Sequence, residues 1–287
     1  MSYLILFAAV FFLSTSVLFV KWTSAPAETA AFYRMLITCL MLLPFVDFKS
    51  LIKTRLMTRY ALLLSGTLLA FHFWLWFLSL DYTTVASSTL FVTSSPIFVL
   101  IGNTLIFKKN PTRKGLAYAL VAVLGGMLVA AGDIQLGREA LFGDLLALIA
   151  ALLIAGYWLV GQHVRTSMNT NTYSFSVYLV ATVVLCFMLL VRGTTFTDFE
   201  TVNWWYFLAL AFFPTILGHN LFNYALARVS ATVVSITILG EALWGMLFGY
   251  AFFGERLGPF QWLGAIVLLG GIYLFLKEDA RSTRADV

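Results

Sequence analysis

Residues 61–80 read ALLLSGTLLAFHFWLWFLSL, and this stretch contains no Asp, Glu, Lys or Arg. An α-helix rises 1.5 Å per residue, so about 20 apolar residues are needed to cross the hydrocarbon core of a bilayer. Backbone groups left unpaired in lipid cost several kcal/mol each, which restricts such a run to a helix or a closed barrel. Because the run is continuously apolar rather than alternating, it predicts a transmembrane helix.

Similar apolar runs occupy most of the chain. Hydrophobic residues make up 61% of the 287 positions and charged residues 11%, whereas soluble domains have about 45–50% and about 25%. The predicted fold class is therefore an all-α membrane protein with ten transmembrane helices. The predicted spans are 3–20, 27–47, 60–80, 84–107, 114–132, 142–163, 172–191, 203–225, 230–253 and 259–276.

The formal net charge of +5 is spread over short loops. No long Lys/Arg run or basic stripe exists, so a nucleic-acid partner is excluded. With the N-terminus in the cytoplasm, thirteen of the 18 Lys and Arg residues fall in the inner loops and tail, and four in the outer loops. The positive-inside rule then predicts that both termini are cytoplasmic. We expect a multi-pass protein of the cell (inner or plasma) membrane.

An internal repeat sets the predicted architecture. An offset of 147 aligns His72 with His219, and after a slip of two residues Gly125-Gly126 aligns with Gly270-Gly271. Since each copy holds five helices, an odd number, the second copy enters the membrane upside down. Inverted repeats of this kind are typical of secondary transporters, which hold the solute where the halves meet. The predicted domains are the first repeat, 1–137, and the second repeat with a short cytoplasmic tail, 138–287.

Several short motifs occur in order over nearly the whole chain. In the first half they are Phe32-Tyr33-Arg34, the run from Ser79 to Ser87, and Ser95-Pro96-Ile97-Phe98. In the second half they are the run from Gly143 to Leu148, Ala227-Arg228-Val229-Ser230-Ala231, Gly240-Glu241-Ala242, and Phe253-Gly254-Glu255-Arg256-Leu257. Together they resemble the drug/metabolite transporter superfamily, specifically its EamA-type ten-helix branch.

The resemblance implies ten helices with both ends cytoplasmic, a cavity between the halves, and transport of an amino acid, amine, nucleoside or drug-like solute. We expect a secondary transporter that works by alternating access, in the export direction, with proton coupling. The chain departs from the family pattern in two places. Gly-Glu-Arg-Leu occurs only in the second half, and Glu241 precedes Ala242 where many relatives carry proline. Import of a metabolite therefore stays open as an alternative.

Two other classes fit the sequence less well. The sequence lacks the catalytic motifs of an intramembrane enzyme, because it has no Gly-x-Ser-x-Gly, no His-Glu-x-x-His and no close pair of membrane carboxylates. A channel usually requires a ring of like groups around a pore, which a pseudo-twofold chain does not supply. Cys39 and Cys186 lie in apolar runs without metal-ligand spacing. We expect no enzyme activity, no cofactor and no metal; the partners are a small-molecule substrate and the lipid bilayer, for a monomer or a homodimer.

Ionisable groups at membrane depth are the strongest site candidates, because they are costly in lipid and mark solute or ion pathways. Arg34 lies roughly 12 Å into the second predicted helix, too deep for an easy return to the surface. It can hold a substrate carboxylate or tie helix ends together. Glu241 lies near the centre of the ninth helix. Removal from water favours a neutral carboxyl and a nearby cation favours the ionised form, so Glu241 is the candidate coupling residue.

Histidines, rings and amides complete the predicted solute-binding set. His72 and His219 occupy matched positions in the two copies, so they are expected to line one cavity, where imidazole can titrate near neutral pH. Aromatic rings with a few amides suit an amphipathic or cationic solute. The remaining candidates are Trp76, Tyr157, Trp158, Asn220, Asn223 and Trp244. For each of them, packing in the helix bundle is the alternative role.

Overall fold

A computed structural model describes residues 2–108, 111–130, 137–254 and 258–285. Within these ranges the chain is helical and contains no β-strand, which agrees with the all-α prediction. In chain order the long helices are α1 (Leu4–Trp22), α2 (Ala27–Phe45), α3 (Leu56–Tyr82), α4 (Ser87–Phe107), α5 (Arg113–Ala130), α6 (Arg138–Val164), α7 (Thr170–Arg192), α8 (Asn203–Ala225), α9 (Ala231–Phe252) and α10 (Pro259–Ser282).

In the part of the chain that the structure describes, nine of these helices are long and apolar enough to cross a membrane. The remaining one, α5, overlaps the predicted span 114–132. It has 18 residues up to Ala130, and residues 131–136 lie outside the described ranges. The count of ten transmembrane helices therefore stays a prediction, as does the cytoplasmic placement of both termini.

The outside of the bundle is apolar. Leu105, Phe187 and Leu190 each expose more than half of their side chains. Soluble monomers rarely expose apolar patches of more than a few hundred Å², whereas a bilayer solvates such side chains. Polar and charged side chains deep within the spans, among them Arg34, His72, His219 and Glu241, are buried inside the bundle. This distribution is the one expected of a multi-pass membrane protein.

The helices pack in pairs that join the two halves of the chain. Helix α3 packs along α6, α1 along α8, α2 along α7, and α5 along α10. Helices α5 and α10 approach each other closely, because a glycine of each helix faces the backbone of the other helix. A Cβ atom added to Gly125 would lie 2.6 Å from the Cα of Leu268, and one added to Gly271 would lie 2.7 Å from the Cα of Ala122. The contact is therefore reciprocal.

Four of the long helices are interrupted. In α8, a π-helical stretch surrounds Pro214, whose ring removes one backbone hydrogen bond. The segments are Ser2–Ser14 and Ser16–Trp22 in α1, Val85–Val92 and Ser95–Phe107 in α4, the π-helix Ala211–His219 in α8, and Ala231–Ile238 and Gly240–Phe253 in α9. In α1, α4 and α9 these segments extend one or two residues beyond the apolar stretches given above. The α2 helix ends in a 3₁₀ turn, Leu43–Phe45, and a short helix, Phe48–Ile52, follows it.

The two ends of the bundle are named after the predicted orientation. The outer end carries the connections 23–26 and 193–202, and the inner end carries 46–55, 165–169 and 226–230. Residues 255–257 of the Gly-Glu-Arg-Leu motif fall outside the described residues.

Candidate functional site

The breaks in α4 and α9 bring two polar residues into the centre of the bundle. In α4 the chain turns at Thr93 and Ser94, and the second segment starts at Ser95 with Pro96 in its first turn. Proline is well suited to that position because its missing N–H would have no helical partner there. In α9 the break lies at Leu239, and Glu241 occupies the first turn of the segment that follows.

These residues line a central cavity of about 30 Å³. It is formed by side chains from α1, α3, α4, α6, α8 and α9, namely Leu13, His72, Trp76, Val92, Ser95, Ile154, Trp158, His219, Ile238 and Glu241. Several of them stand at matched positions of the two halves. An offset of 147 relates His72 to His219, and an offset of 146 relates Val92 to Ile238 and Ser95 to Glu241.

The two histidines stack on tryptophans in the cavity wall. The His72 ring lies 6.1 Å from the Trp76 ring, and its Nδ1–H donates to the Ala150 carbonyl at 2.9 Å. The His219 ring lies 5.7 Å from the Trp158 ring with an interplanar angle of 14°. The Nδ1 of His219 is buried and has no hydrogen-bond partner among the described residues. The matched histidines therefore differ, because one ring nitrogen is fixed and its counterpart is unpaired.

Arg34 is fully buried next to the cavity wall. Its Nε donates to Thr215 Oγ1 at 2.8 Å, and its Nη1 donates to Ser16 Oγ at 2.9 Å. Its Cζ lies 4.0 Å from the centre of the Phe73 ring, a cation–π distance. The third nitrogen, Nη2, has no partner among the described residues. Arg34 thus bridges three helices and keeps one donor unused.

Glu241 forms no ion pair with any described residue. It is 6% exposed and lies on the cavity wall. Arg34 acts on it electrostatically, although the guanidinium is committed to Ser16 and Thr215 instead of forming a direct bridge. An ionisable group left without a fixed partner in the bundle can exchange one partner for another, such as a proton or a solute charge.

Three of the predicted solute-binding residues lie in a separate polar network between α6, α7 and α8. The Tyr157 hydroxyl donates to Asn223 Oδ1 at 2.7 Å, and the Asn223 amide donates to Ser174 Oγ at 2.9 Å. The Ser174 hydroxyl in turn donates to Asn220 Oδ1 at 2.6 Å. Since these groups satisfy one another, the network joins helices, and a solute-binding role for Tyr157, Asn220 and Asn223 stays a prediction.

Trp244, the last of the predicted residues, lies apart from the cavity. Its ring meets Phe11 edge-on at 4.8 Å and packs beside Phe248. The structure thus brings five candidates to one cavity, and these are His72, Trp76, Trp158, His219 and Glu241. Sequence reasoning missed Ser95 as a site residue, although the motif Ser95-Pro96 was visible and a proline after a hydroxyl residue is a signal for a helix break.

Arg165 is a further buried cation that the sequence did not single out. It lies where α6 ends, and its Nε donates to the carbonyl of Asn223 at 2.8 Å while its Nη2 donates to Thr170 Oγ1 at 2.7 Å. Burial lowers the pKa of the Arg165 guanidinium from its ordinary value. The residue fastens the inner end of α6 to α8, below the Tyr157–Asn223 network.

Polar contacts close the outer end of the bundle between the two halves. Glu28 and Arg192 form an ion pair at 3.1 Å, and Thr194 donates to the same carboxylate at 2.8 Å. The Asn203 side chain bonds to Thr23 and to both the backbone and the hydroxyl of Ser24. These bonds join the connection 23–26 and the start of α2 to the end of α7 and the start of α8.

The inner end is open by comparison. A vestibule of about 810 Å³ lies between α4, α5, α6, α9, α10 and the connection 226–230. Among the residues on its wall are Asn103, Gln162, His163, Arg228, Thr232 and Glu278. Asn103 donates to Thr232 Oγ1 at 2.6 Å, so these two residues bridge α4 and α9 below the central cavity. The wide space and the small cavity lie along the same pair of broken helices.

The family model of EamA-like transporters matches residues 1–131 and 141–277. Among curated proteins, an uncharacterized transporter of Archaeoglobus fulgidus is 26% identical over 254 residues, which is 85% of this chain and 86% of that protein. The uncharacterized transporter YyaM of Bacillus subtilis is 23% identical over 258 residues, 86% and 83% of the two chains. A solved crystal structure superposes with a TM-score of 0.79 over 98% of both chains at 14% identity, which shows a shared fold alone.

Proposed function

The chain belongs to the EamA-like transporter family, within the drug/metabolite transporter superfamily, and from this membership we propose that it is a secondary transporter that exports a small metabolite from the cytoplasm by alternating access. The solute class is an amino acid, an amine, a nucleoside or a drug-like molecule. The membrane is the cell membrane. The coupling ion is a proton carried by Glu241.

Two inverted halves, 1–137 and 138–287, form the transporter in this proposal. The reciprocal contact of Gly125 and Gly271 supports the inversion, since a twofold axis between two helices makes each side repeat the contact of the other. The pairing of α3 with α6 and of α1 with α8 supports it as well. The repeat relates α3 to α8 and α6 to α1, so each of these pairs is the counterpart of the other.

The observation that carries the proposal is the central cavity. It combines residues of both halves, sits beside the breaks in α4 and α9, and holds the unpaired carboxyl of Glu241. Discontinuous helices at the junction of repeats are where secondary transporters bind their solutes. A carboxyl that can be charged or neutral at that place can tie solute movement to proton movement.

The difference between the two ends supports alternating access. The vestibule of about 810 Å³ lies at the inner end of the bundle, while the ion pair of Glu28 and Arg192 lies across the outer end. An arrangement that is open on one side and closed on the other is one of the two states such a mechanism needs. For an exporter, this state is the one that receives the solute.

The test is transport by the purified full-length protein in proteoliposomes, with a pool of amino acids, amines and nucleosides inside and release measured at several pH values. We expect wild-type release to depend on pH and Glu241→Gln to lose that dependence, because glutamine cannot exchange a proton. Glu139→Gln is the matched control, since Glu139 is exposed at the start of α6. Unchanged pH dependence in Glu241→Gln would remove the coupling role.

Mass spectrometry of the released solute separates transport from catalysis. A transporter returns the solute chemically intact, whereas an intramembrane enzyme alters it. Release of an altered compound, dependent on the protein, would replace the proposed function by an enzymatic one.

A further inference from the structure

Four residues that line the central cavity each carry a buried hydrogen-bonding atom without a partner among the described residues. These atoms are Ser95 Oγ, Trp76 Nε1, Trp158 Nε1 and His219 Nδ1. In native proteins the large majority of buried side-chain polar atoms are paired with protein or with water. Four unpaired atoms around one small cavity therefore point to something that binds there.

The chemistry of these atoms favours a hydrogen-bond acceptor. An indole N–H can only donate, and a serine hydroxyl can donate as well as accept. The ring of Phe73 contacts both Arg34 and the cavity-lining His219, and Arg34 carries a further unpaired donor, Nη2. The second segments of α4 and α9, of 13 and 14 residues, both begin at the cavity, and helix N-termini favour negative charge. Donors and positive potential thus dominate the site.

The size of the cavity limits which hydrogen-bond acceptor group can bind there. A water-sized atom requires a cavity volume of about 10–15 Å³, and this cavity has a volume of about 30 Å³. That is room for two or three oxygen-sized atoms, enough for the two that a carboxylate presents. A phosphoryl group, with more oxygens around a tetrahedral centre, is too large for the cavity in this state.

We propose that the central cavity binds the carboxylate group of the transported solute, and that Ser95, together with Trp76 and Trp158, donates the hydrogen bonds that hold it. This inference rests on the proposed transport function and deepens it. Ser95 becomes a solute-binding residue at the position that matches Glu241 in the other half, so one half supplies a donor where the other supplies a carboxyl.

Glu241 decides when the carboxylate can enter. Two carboxylates in one small cavity repel each other, so the solute binds when Glu241 carries a proton. The other ionisable groups that face this cavity are His72 from α3 and His219 from α8, and Arg34 from α2 lies within electrostatic range. Of the other segments that pack against the segment of Glu241, Val85–Val92 and Ala231–Ile238 carry no ionisable side chain. Helix α1 contributes Leu13 to the cavity wall, and no residue of α5 or α10 lines it. Solute and proton thus bind together.

Equilibrium binding to the detergent-purified full-length protein tests this inference without a transport step. Isothermal titration compares butyrate, butyramide and butylammonium, which share a chain and differ in the head group. We expect butyrate to bind most tightly and to bind better at acidic than at alkaline pH. Ser95→Ala should weaken butyrate by about tenfold, as the loss of a hydrogen bond to a charged group requires. Glu241→Gln should keep butyrate binding at alkaline pH.

Ser94→Ala is the matched control, because the Ser94 hydroxyl donates to the Phe91 carbonyl at 2.6 Å and does not line the cavity. Its affinity for butyrate should equal that of the wild type. Three results would each overturn the inference. They are tighter binding of butylammonium than of butyrate, wild-type affinity for butyrate in Ser95→Ala, and no measurable heat on titration with butyrate.

The two proposals fail separately. A protein that binds butyrate through Ser95 and releases no solute from proteoliposomes contradicts the transport function, because binding was measured without a gradient. A protein that transports solutes without preference for carboxylates, and with Ser95→Ala as active as the wild type, contradicts the carboxylate site alone.

Discussion

Four helices meet at Arg34. It starts from α2, reaches Ser16 in α1 and Thr215 in α8, and lies over Phe73 of α3. A buried charge is tolerated when hydrogen bonds and nearby rings replace its water. The Thr215 hydroxyl can accept from Arg34 because it donates to the Leu210 carbonyl at 2.7 Å, inside the π-helical stretch. The irregular backbone of α8 thus helps to bury the charge.

Arg34→Lys should damage both stability and transport. Lysine keeps the charge but has a single nitrogen, so it cannot reach Ser16 and Thr215 together with the fork geometry of arginine. We expect a loss of about 2 kcal/mol in folding free energy, the value of a hydrogen bond to a charged group. Thermal unfolding in detergent and proteoliposome transport provide the measurements.

Arg228→Lys is the control for that substitution. The exposed guanidinium of Arg228 lies 3.8 Å from the centre of the Tyr224 ring and donates to its carbonyl, so lysine should be tolerated there. If Arg34→Lys has the unfolding temperature and the transport rate of the wild type, Arg34 is a packing residue whose two guanidinium hydrogen bonds are not required.

Sequence reasoning found the charged and paired residues of the cavity more readily than the neutral ones. Glu241 and His219 stand out in an apolar chain because lipid makes such groups rare. Ser95 does not stand out, since hydroxyl residues in helices usually bond to their own backbone. Tyr157 and Asn223 look like site residues in the sequence, yet in the fold they satisfy each other. Hydrogen-bond pairing depends on neighbours that only packing supplies.

The ends of the helices followed from hydropathy, because the thickness of the bilayer fixes the length of a span. The predicted span 203–225 coincides with α8, and the predicted span 172–191 differs from α7 by a few residues. The breaks inside the helices were harder to foresee. Pro96 marks the one in α4, but the break at Leu239 in α9 has no proline. The residue that follows this break is Gly240, a weaker local signal than proline.

The α5–α10 pair offers a sharp test at the scale of one helix contact. Gly125→Ala and Gly271→Ala each place a Cβ against the backbone of the facing helix, 2.6 Å and 2.7 Å from its Cα atoms. Because backbone cannot move aside like a side chain, we expect each substitution to cost about 1–3 kcal/mol. Lower thermal unfolding temperatures in detergent would report this cost.

The neighbouring glycines supply the controls. A Cβ added to Gly126 or Gly270 meets nothing within 4 Å, so alanine there should leave the unfolding temperature unchanged or raise it slightly through its better helix propensity. The sequence repeat aligned Gly126 with Gly271. In the structure the counterpart of Gly271 is Gly125, one residue earlier, because these two glycines make the equivalent contacts. Equal effects at all four positions would contradict the reciprocal contact.

At the scale of the whole molecule, the two ends of the bundle differ in how the halves are joined. The inner end leaves a large vestibule, while the outer end holds a short ion pair between Glu28 and Arg192 with Thr194 as a second donor. A rigid-body motion of the halves that opens the outer end has to break these bonds. In the proposed alternating-access mechanism, the strength of these bonds contributes to the balance between the two states.

Glu28→Gln should shift that balance toward a state that is open on the outside. Loss of about 1 kcal/mol from the closed state changes the ratio of states about fivefold. The reporter is Ala31→Cys, one turn into α2 and fully buried, in a background with Cys39→Ala and Cys186→Ala. We expect a membrane-impermeant maleimide added from the outside to label the introduced thiol about fivefold faster when Glu28→Gln is present.

Two comparisons make the labelling rate specific to the outer seal. Glu200→Gln removes an exposed carboxylate from the same end without touching the ion pair, so it should leave the rate unchanged. The thiol of Thr166→Cys, on the vestibule wall, should react more slowly from the inner side in Glu28→Gln, because opening at one end closes the other in alternating access. Faster labelling at both ends would mean that the bundle had merely loosened, and an unchanged rate at Ala31→Cys would show that the Glu28–Arg192 pair does not hold the outer end closed.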